Sequence, residues 1–237
     1  MGRIPEMLNS PRGTNNVVKI CGLREPAHAE AAVRAGADWI GFVFAPGRRQ
    51  ITPELARECG MTARAVASQR EILTVGVFVD EDEMTIQEIA DFVALDAVQI
   101  HGEGALSSSM CSSRPVIRVI RPKFGATYTE TWPNVEQAID SEPRLIAMLF
   151  DGYSDGAHGG TGVRGDWDLA AALAVRARLA LAGGLTPENV EEAIQRVRPW
   201  GVDVSSGVET NGRKDQGKIE AFVGAARRGF AAFPRLH

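Results

Sequence analysis

The chain has 237 residues, 44% of them hydrophobic and 24% charged, enough to bury one large core. A formal charge of −4 with a pI near 5.7 offers no basic surface for nucleic acid or an anionic membrane, and no apolar run is long enough to span a bilayer. The three cysteines, Cys21, Cys59 and Cys111, show no CxxC spacing, which argues against a disulfide framework or a zinc site and for a reducing cytoplasm.

Residues 1–16 are polar and rich in Pro, Gly and Asn, without the apolar segment of a secretory signal, and read as a flexible extension. A single domain is expected over 17–237, since no linker or composition break divides it. Short apolar runs then alternate with Ala-rich helical stretches. The expected strands are Val17–Gly22, Trp39–Phe44, Ile72–Val79, Ala97–His101, Val116–Arg121, Leu145–Asp151, Leu179–Gly183 and Val202–Ser206. Several are nearly continuous apolar runs, the pattern of parallel strands covered on both faces.

Between them lie helix signals. Pro26 suits a first helical position and Gly36 a left-handed C-terminal one. Thr52-Pro53-Glu54 and Thr186-Pro187-Glu188 each read as an N-cap, a first helical Pro and an early acidic residue. The helix around Asn134–Asp140 is weakly marked, and Ile219–Arg227 makes the last one. Eight strands with crossovers imply a single (β/α)8 TIM barrel, with a doubly wound α/β sheet as the alternative.

In such a barrel the chemistry sits at the C-terminal strand ends, so residues there carry the functional reading. Side chains alternate along a strand, so Lys19 shares a face with Cys21, Gln99 with His101, and Asp203 with Ser205. Lys, Asp and Gln suit an apolar strand–helix layer poorly, which points these faces into the lumen. Cys21 is either an inert buried thiol or a nucleophile or base, and the second role calls for a depressed pKa that Lys19 could help supply. Asp151 either caps a loop or exchanges a proton at the barrel mouth. Asp203, inside an apolar stretch, needs a partner or a substrate because a lone buried carboxylate is costly. His101 either lines the pocket or is structural, and Arg48 or Arg49 either is solvated or clamps a carboxylate.

Two glycine turns carry a stronger signal. Gly183-Gly184 ends the seventh strand and Ser206-Gly207 the eighth, the positions where barrels often form a phosphate site from backbone N–H groups. Gly159-Gly160-Thr161-Gly162 has the look of a lid loop and lacks the lysine and spacing of a Walker loop. No histidine spacing gathers a metal site.

Several motifs together resemble the phosphoribosylanthranilate isomerase family of tryptophan biosynthesis. They include Lys19-Ile20-Cys21-Gly22-Leu23, Gly41-Phe42-Val43-Phe44, Val75-Gly76-Val77-Phe78-Val79, Val98-Gln99-Ile100-His101-Gly102 and Leu149-Phe150-Asp151. The resemblance continues through Leu181 to Val190 and Val202 to Glu209, in unbroken order from about Val17 to Val223. It implies a cofactor-free, metal-free Amadori rearrangement of N-(5-phosphoribosyl)anthranilate. Cys21 then matches the general base, Asp151 the general acid, Arg49 the arginine that holds the anthranilate carboxylate, and Asp203 a contact to sugar hydroxyls. The only partner implied is the small phosphosugar, and a monomer is the simpler expectation. Val163-Arg164-Gly165 departs from the family's usual Lys-Thr-Phe, and Arg118 stands where lysine is common. The rivals are a histidine-pathway or dual-substrate aminoaldose isomerase, for which the resemblance puts an aspartate at the Cys21 position, and a catalytically silent phosphosugar-binding barrel.

Overall fold

The apolar runs become eight parallel strands, each hydrogen-bonded to the next, with the last returning to the first to close a barrel. The computed structural model describes residues 16–68, 70–101, 114–123, 125–152 and 166–232. The strands are β1 (Val17–Cys21), β2 (Trp39–Val43), β3 (Leu73–Val79), β4 (Ala97–His101), β5 (Val116–Ile120), β6 (Leu145–Phe150), β7 (Leu179–Leu181) and β8 (Gly201–Val204). Every expected strand is present, and the doubly wound alternative falls because β1 pairs with β8 through Val17–Gly201 and Lys19–Asp203. The helices among the described residues are α1 (Pro26–Ala35), α2 (Pro53–Ala67), α3 (Glu83–Val93), α4 (Tyr128–Ser141), α5 (Trp167–Ala174), α6 (Val190–Val197) and α7 (Gln216–Ala231). None of them is long and apolar enough to cross a membrane. The β4–β5 crossover with Cys111, the glycine-rich stretch 159–162 and residues 1–15 lie outside the described residues.

Local chemistry explains most element ends. Pro26 opens α1, and Gly36 ends it in a left-handed turn at φ 99°. Thr52 accepts a hydrogen bond from the Leu55 N–H at the start of α2. Two expectations need correction. The helix expected near Asn134–Asp140 begins at Tyr128, because Glu130 accepts from both the N–H and the hydroxyl of Thr127 and so holds the first turn. Pro133 inside it weakened the helical pattern of the sequence. Thr186-Pro187-Glu188 is a turn rather than a helix start. Asn189 there accepts from the Thr186 N–H and donates to the Gly184 carbonyl, so α6 starts only at Val190.

The strand alternation sorts the core into two. Ile20, Ile40, Phe42, Phe78, Phe150 and Leu179 face outward and pack on Ala29, Ala56, Ile86, Leu173 and Phe222 of the helices. Val17, Trp39, Leu73, Ala97, Ile117 and Trp200 fill the lumen's lower end, where Trp39 and Trp200 meet edge to face at 5.3 Å. Toward the other end small residues (Gly41, Ala182) and polar ones (Gln99, Asp203) stand among Val77 and Leu149. A cavity of about 650 Å³ opens there, at the C-terminal strand ends.

Candidate active site

The cavity is lined by Cys21 from β1, Arg48 and Arg49 after β2, Gln99 and His101 from β4, Asp151 after β6, the Gly183-Gly184 turn, and Asp203, Ser205 and Ser206 at β8. Eight of the nine expected site residues therefore face one space. The ninth, Gly207, stands behind it: a Cβ there would lie 1.8 Å from the Leu185 carbonyl oxygen. Its job is to let the turns after β7 and β8 touch. Gly183 is confined in the same way, with φ +81° and a Cβ position 2.3 Å from the Gly152 nitrogen.

The polar lumen faces are wired together. Lys19 donates to Asp203 Oδ1 at 3.0 Å and to Gln99 Oε1 at 2.9 Å, with both ion-pair side chains buried. Asp203 thus has the partner its burial demanded. Because Gln99 accepts through Oε1, its amide nitrogen is the group 2.9 Å from His101 Nε2. That makes Nε2 the acceptor and puts the ring proton on Nδ1.

Cys21 is buried, and burial pushes its thiol above the usual cysteine range, with Asp203 adding to the rise while Lys19 and Lys214 pull it back. The base role called for a depressed pKa; the direction here is upward, because burial outweighs both ammonium groups. Burial would depress Lys19 too, but the charges of Asp203 and Cys21 raise it, so the ammonium persists beside the thiol. Gly41 makes room for the sulfur, since a Cβ at that position would sit 2.8 Å from Sγ and 3.2 Å from Lys19 Cε. An isolated glycine in an apolar strand was the readable signal of this close approach.

Asp151 is held by a residue that sequence reasoning missed. Arg121, just past β5, places Nη2 at 2.8 Å and Nε at 3.2 Å from Asp151 Oδ2. Burial still raises the carboxyl above the normal range for Asp, with Arg121 pulling it back. The described pocket therefore pairs a neutral thiol with a carboxyl biased toward its acid form, one on each side of the lumen.

A second network was also missed. Arg49 forks onto Glu209, Nε to Oε1 at 2.6 Å and Nη2 to Oε2 at 3.0 Å, and exposed Arg48 adds a 3.2 Å contact to Oε2. Lys214 reaches Glu209 Oε1 at 2.9 Å and the Ser205 carbonyl at 2.8 Å. The short β9 (Glu209–Thr210) and β10 (Arg213–Lys214) hairpin brings these groups under the β1 and β8 tips. Burial pushes Lys214 down to about 8, against the pull of Glu209. For Glu209 burial works the other way, but Arg49 and Lys214 prevail and hold it at about 2. A carboxylate held below its unfolded value adds stability above the unfolded range and loses it as pH falls toward 2. Wild-type Tm is therefore expected to drop between pH 4.5 and 2 more steeply than that of Glu209→Gln, as read by thermal denaturation across that range.

A closed parallel barrel with a thiol, an acid and two glycine turns around one mouth defines a (β/α)8 enzyme of the acid–base type. Residues 18–225 match the family described as N-(5'phosphoribosyl)anthranilate (PRA) isomerase. Relatives named N-(5'-phosphoribosyl)anthranilate isomerase are 47% identical in Roseiflexus sp. strain RS-1 and 49% in Roseiflexus castenholzii. Each alignment covers 89% of this chain and 97% or 98% of the relative. The crystal structure of phosphoribosyl anthranilate isomerase from Thermotoga maritima superposes with a TM-score of 0.75 at 35% identity, over 90% of this chain and 100% of that one. A further solved phosphoribosyl anthranilate isomerase, in complex with reduced 1-(o-carboxyphenylamino)-1-deoxyribulose 5-phosphate, gives 0.72 at 35% identity, with the same coverage. The chain belongs to the phosphoribosylanthranilate isomerase family.

Proposed function

We infer that the chain isomerises N-(5'-phosphoribosyl)anthranilate to 1-(2-carboxyphenylamino)-1-deoxyribulose 5-phosphate in tryptophan biosynthesis, in the cytoplasm. The observation that carries this reading is the placement of Cys21 and Asp151 on the wall of one cavity bordered by the two glycine turns, in a chain of this family. Asp151 gives its proton to the furanose ring oxygen, and the ring opens to a Schiff base. Cys21, as thiolate, then takes the proton from the sugar C2, and the resulting enolamine tautomerises to the ketone. Each such proton transfer contributes about 10² to 10⁴ in rate.

Lys19 has two tasks here. It balances Asp203 on the lumen floor, and it supplies the positive charge against which the Cys21 thiolate forms. Backbone N–H groups of the Gly183-Gly184 and Ser206-Gly207 turns hold the phosphate. Asp203 contacts the sugar hydroxyls and His101 lines the pocket beside them. Arg49 is the arginine for the anthranilate carboxylate: Glu209 occupies its Nε and Nη2, so Nη1 is the donor left by that fork, and the grip fixes the plane of the guanidinium. The proposed functional unit is the single chain; the similar Thermotoga maritima protein is described as dimeric, and sedimentation of this chain reads its own state.

The test is a turnover assay with phosphoribosylanthranilate generated in situ, following loss of anthranilate-type fluorescence. Turnover is expected with no added cofactor and is expected to persist after EDTA treatment. Absence of turnover, or strict dependence on added metal, would overturn the assignment.

A further inference from the structure

Arg121 belongs to no part of the reaction so far described, does not line the cavity, and yet holds the proton donor. Its two contacts with Asp151 go to one oxygen: Nη2 at 2.8 Å and Nε at 3.2 Å from Oδ2. The neighbouring strands make this pairing reliable, since the Asp151 N–H bonds the Ile120 carbonyl at 3.1 Å and so sets the two side chains side by side. The other oxygen, Oδ1, faces the turn after β7, where a Cβ on Gly183 would come within 3.0 Å of it. An oxygen facing two N–H donors has no room for a proton of its own, whereas Oδ1 does.

We propose that Arg121 is a positioning residue: by gripping Oδ2 of Asp151 it assigns the transferable proton to Oδ1 and sets the pH range in which the acid works. The proposal rests on Asp151 being the proton donor. Its physical content is a balance. An acid must be protonated before it reacts and stable as an anion afterwards, and the guanidinium trades some of the first for the second. Among the described residues, the charged groups facing Asp151 are Arg121 from beyond β5, Lys19 from β1 and Asp203 from β8, and the β7 side presents the Gly183 backbone. Lys19 and Asp203 neutralise each other at 3.0 Å, so Arg121 is the charge that decides the carboxyl's poise.

The two catalytic groups start far apart, the carboxyl from 3.8 and the thiol from 9.0, and burial raises both. With the acid titrating below the base, the acidic limb of the kcat/KM profile reports Asp151, because activity stops rising with pH once the carboxyl begins to lose its proton. Removing the guanidinium leaves burial unopposed at Asp151 and moves that limb to higher pH.

The experiment is the pH dependence of kcat and kcat/KM for the intact chain and for Arg121→Met, Arg121→Lys and Asp151→Asn, with Tm measured alongside. For Arg121→Met the acidic limb is expected to move up by about one pH unit, with kcat down about 10-fold and KM within about 2-fold, since Arg121 touches the acid and not the cavity. For Arg121→Lys the charge remains, so the limb is expected to stay near its wild-type position while kcat falls through loss of the two-donor grip. An unmoved limb in a folded Arg121→Met overturns the proposal, as does a lowered Tm with kcat reduced equally at every pH, the mark of a merely structural residue. Should Arg121→Met not fold, wild-type kcat in Arg121→Lys overturns it instead. The underlying acid assignment fails separately: it falls if Asp151→Asn keeps wild-type kcat, whatever the arginine variants do.

Discussion

Cys21→Ala is expected to lose at least about 10²-fold in kcat, with the fold and KM nearly unchanged. The sulfur is the one group on β1 that reaches the cavity, and it is the base in the proposed mechanism. Neither charged neighbour takes its place: Lys19 beside it keeps its proton because Asp203 and Cys21 raise it, and Asp203 is committed to Lys19. Truncation removes one small side chain from the cavity wall, so the change in Tm is expected to be modest, unlike that of Lys19→Met. Breaking the buried Lys19–Asp203 pair from one side would leave a charge uncompensated, at a cost of roughly 3–5 kcal/mol. Cys21 is therefore the cleaner probe. Steady-state kinetics together with a thermal melt decide it; near-normal kcat in a folded Cys21→Ala would remove the thiol from the mechanism.

Asp151→Asn should lose a comparable factor, at least about 10²-fold in kcat, because an amide presents similar shape but no transferable acidic proton. The wild-type carboxyl is biased toward its acid form by burial, and Arg121 opposes that bias. Substitution removes the ion pair that the partly exposed Arg121 makes with Asp151. That cost is small beside the kinetic one, because solvent reaches the guanidinium. The kinetic signature is specific: kcat and kcat/KM fall together, and the inflection that reports Asp151 is lost, so activity keeps rising with pH until the Cys21 thiol ionises. A variant that still shows the wild-type pH profile would place the proton donor elsewhere.

How much of this was legible in the chain follows from the physics of each element. The barrel strands were readable within two residues because two-sided burial leaves long apolar runs that little else produces. Helix α4 was less so: Pro133 interrupts its pattern, and the informative residues were Thr127 and Glu130, a capping pair several positions upstream. Thr186-Pro187-Glu188 carries a helix-start pattern, but the Asn189 side chain bonds both Thr186 and Gly184 and holds the backbone as a turn. Local propensity yielded there to a side-chain brace.

The site divides along the same line. Cys21, Asp151 and Asp203 stood out because a thiol or carboxylate in or at the end of an apolar strand must be explained. The two glycine turns stood out because of their ordinal positions in the barrel. Arg121, Glu209 and Lys214 did not, since a charged residue beyond a strand end looks like ordinary solvated surface. Only the closed barrel brings Arg121 onto Asp151 across 30 residues of chain and Arg49 onto Glu209 across 160. The family match then rests on motifs spread over residues 18–225, which no single element carried.

The sequence alone therefore determined the barrel, its lumen-facing polar residues and the candidate base and acid, because these depend on residue type and strand period. The tertiary structure decided their electrostatics. Whether the Cys21 thiol is raised or lowered depends on how deeply β1 is buried and on which charges β8 and the β9–β10 hairpin bring beside it. Burial and through-space charge are properties of the closed barrel rather than of neighbours in the chain, and here burial outweighs the two lysines.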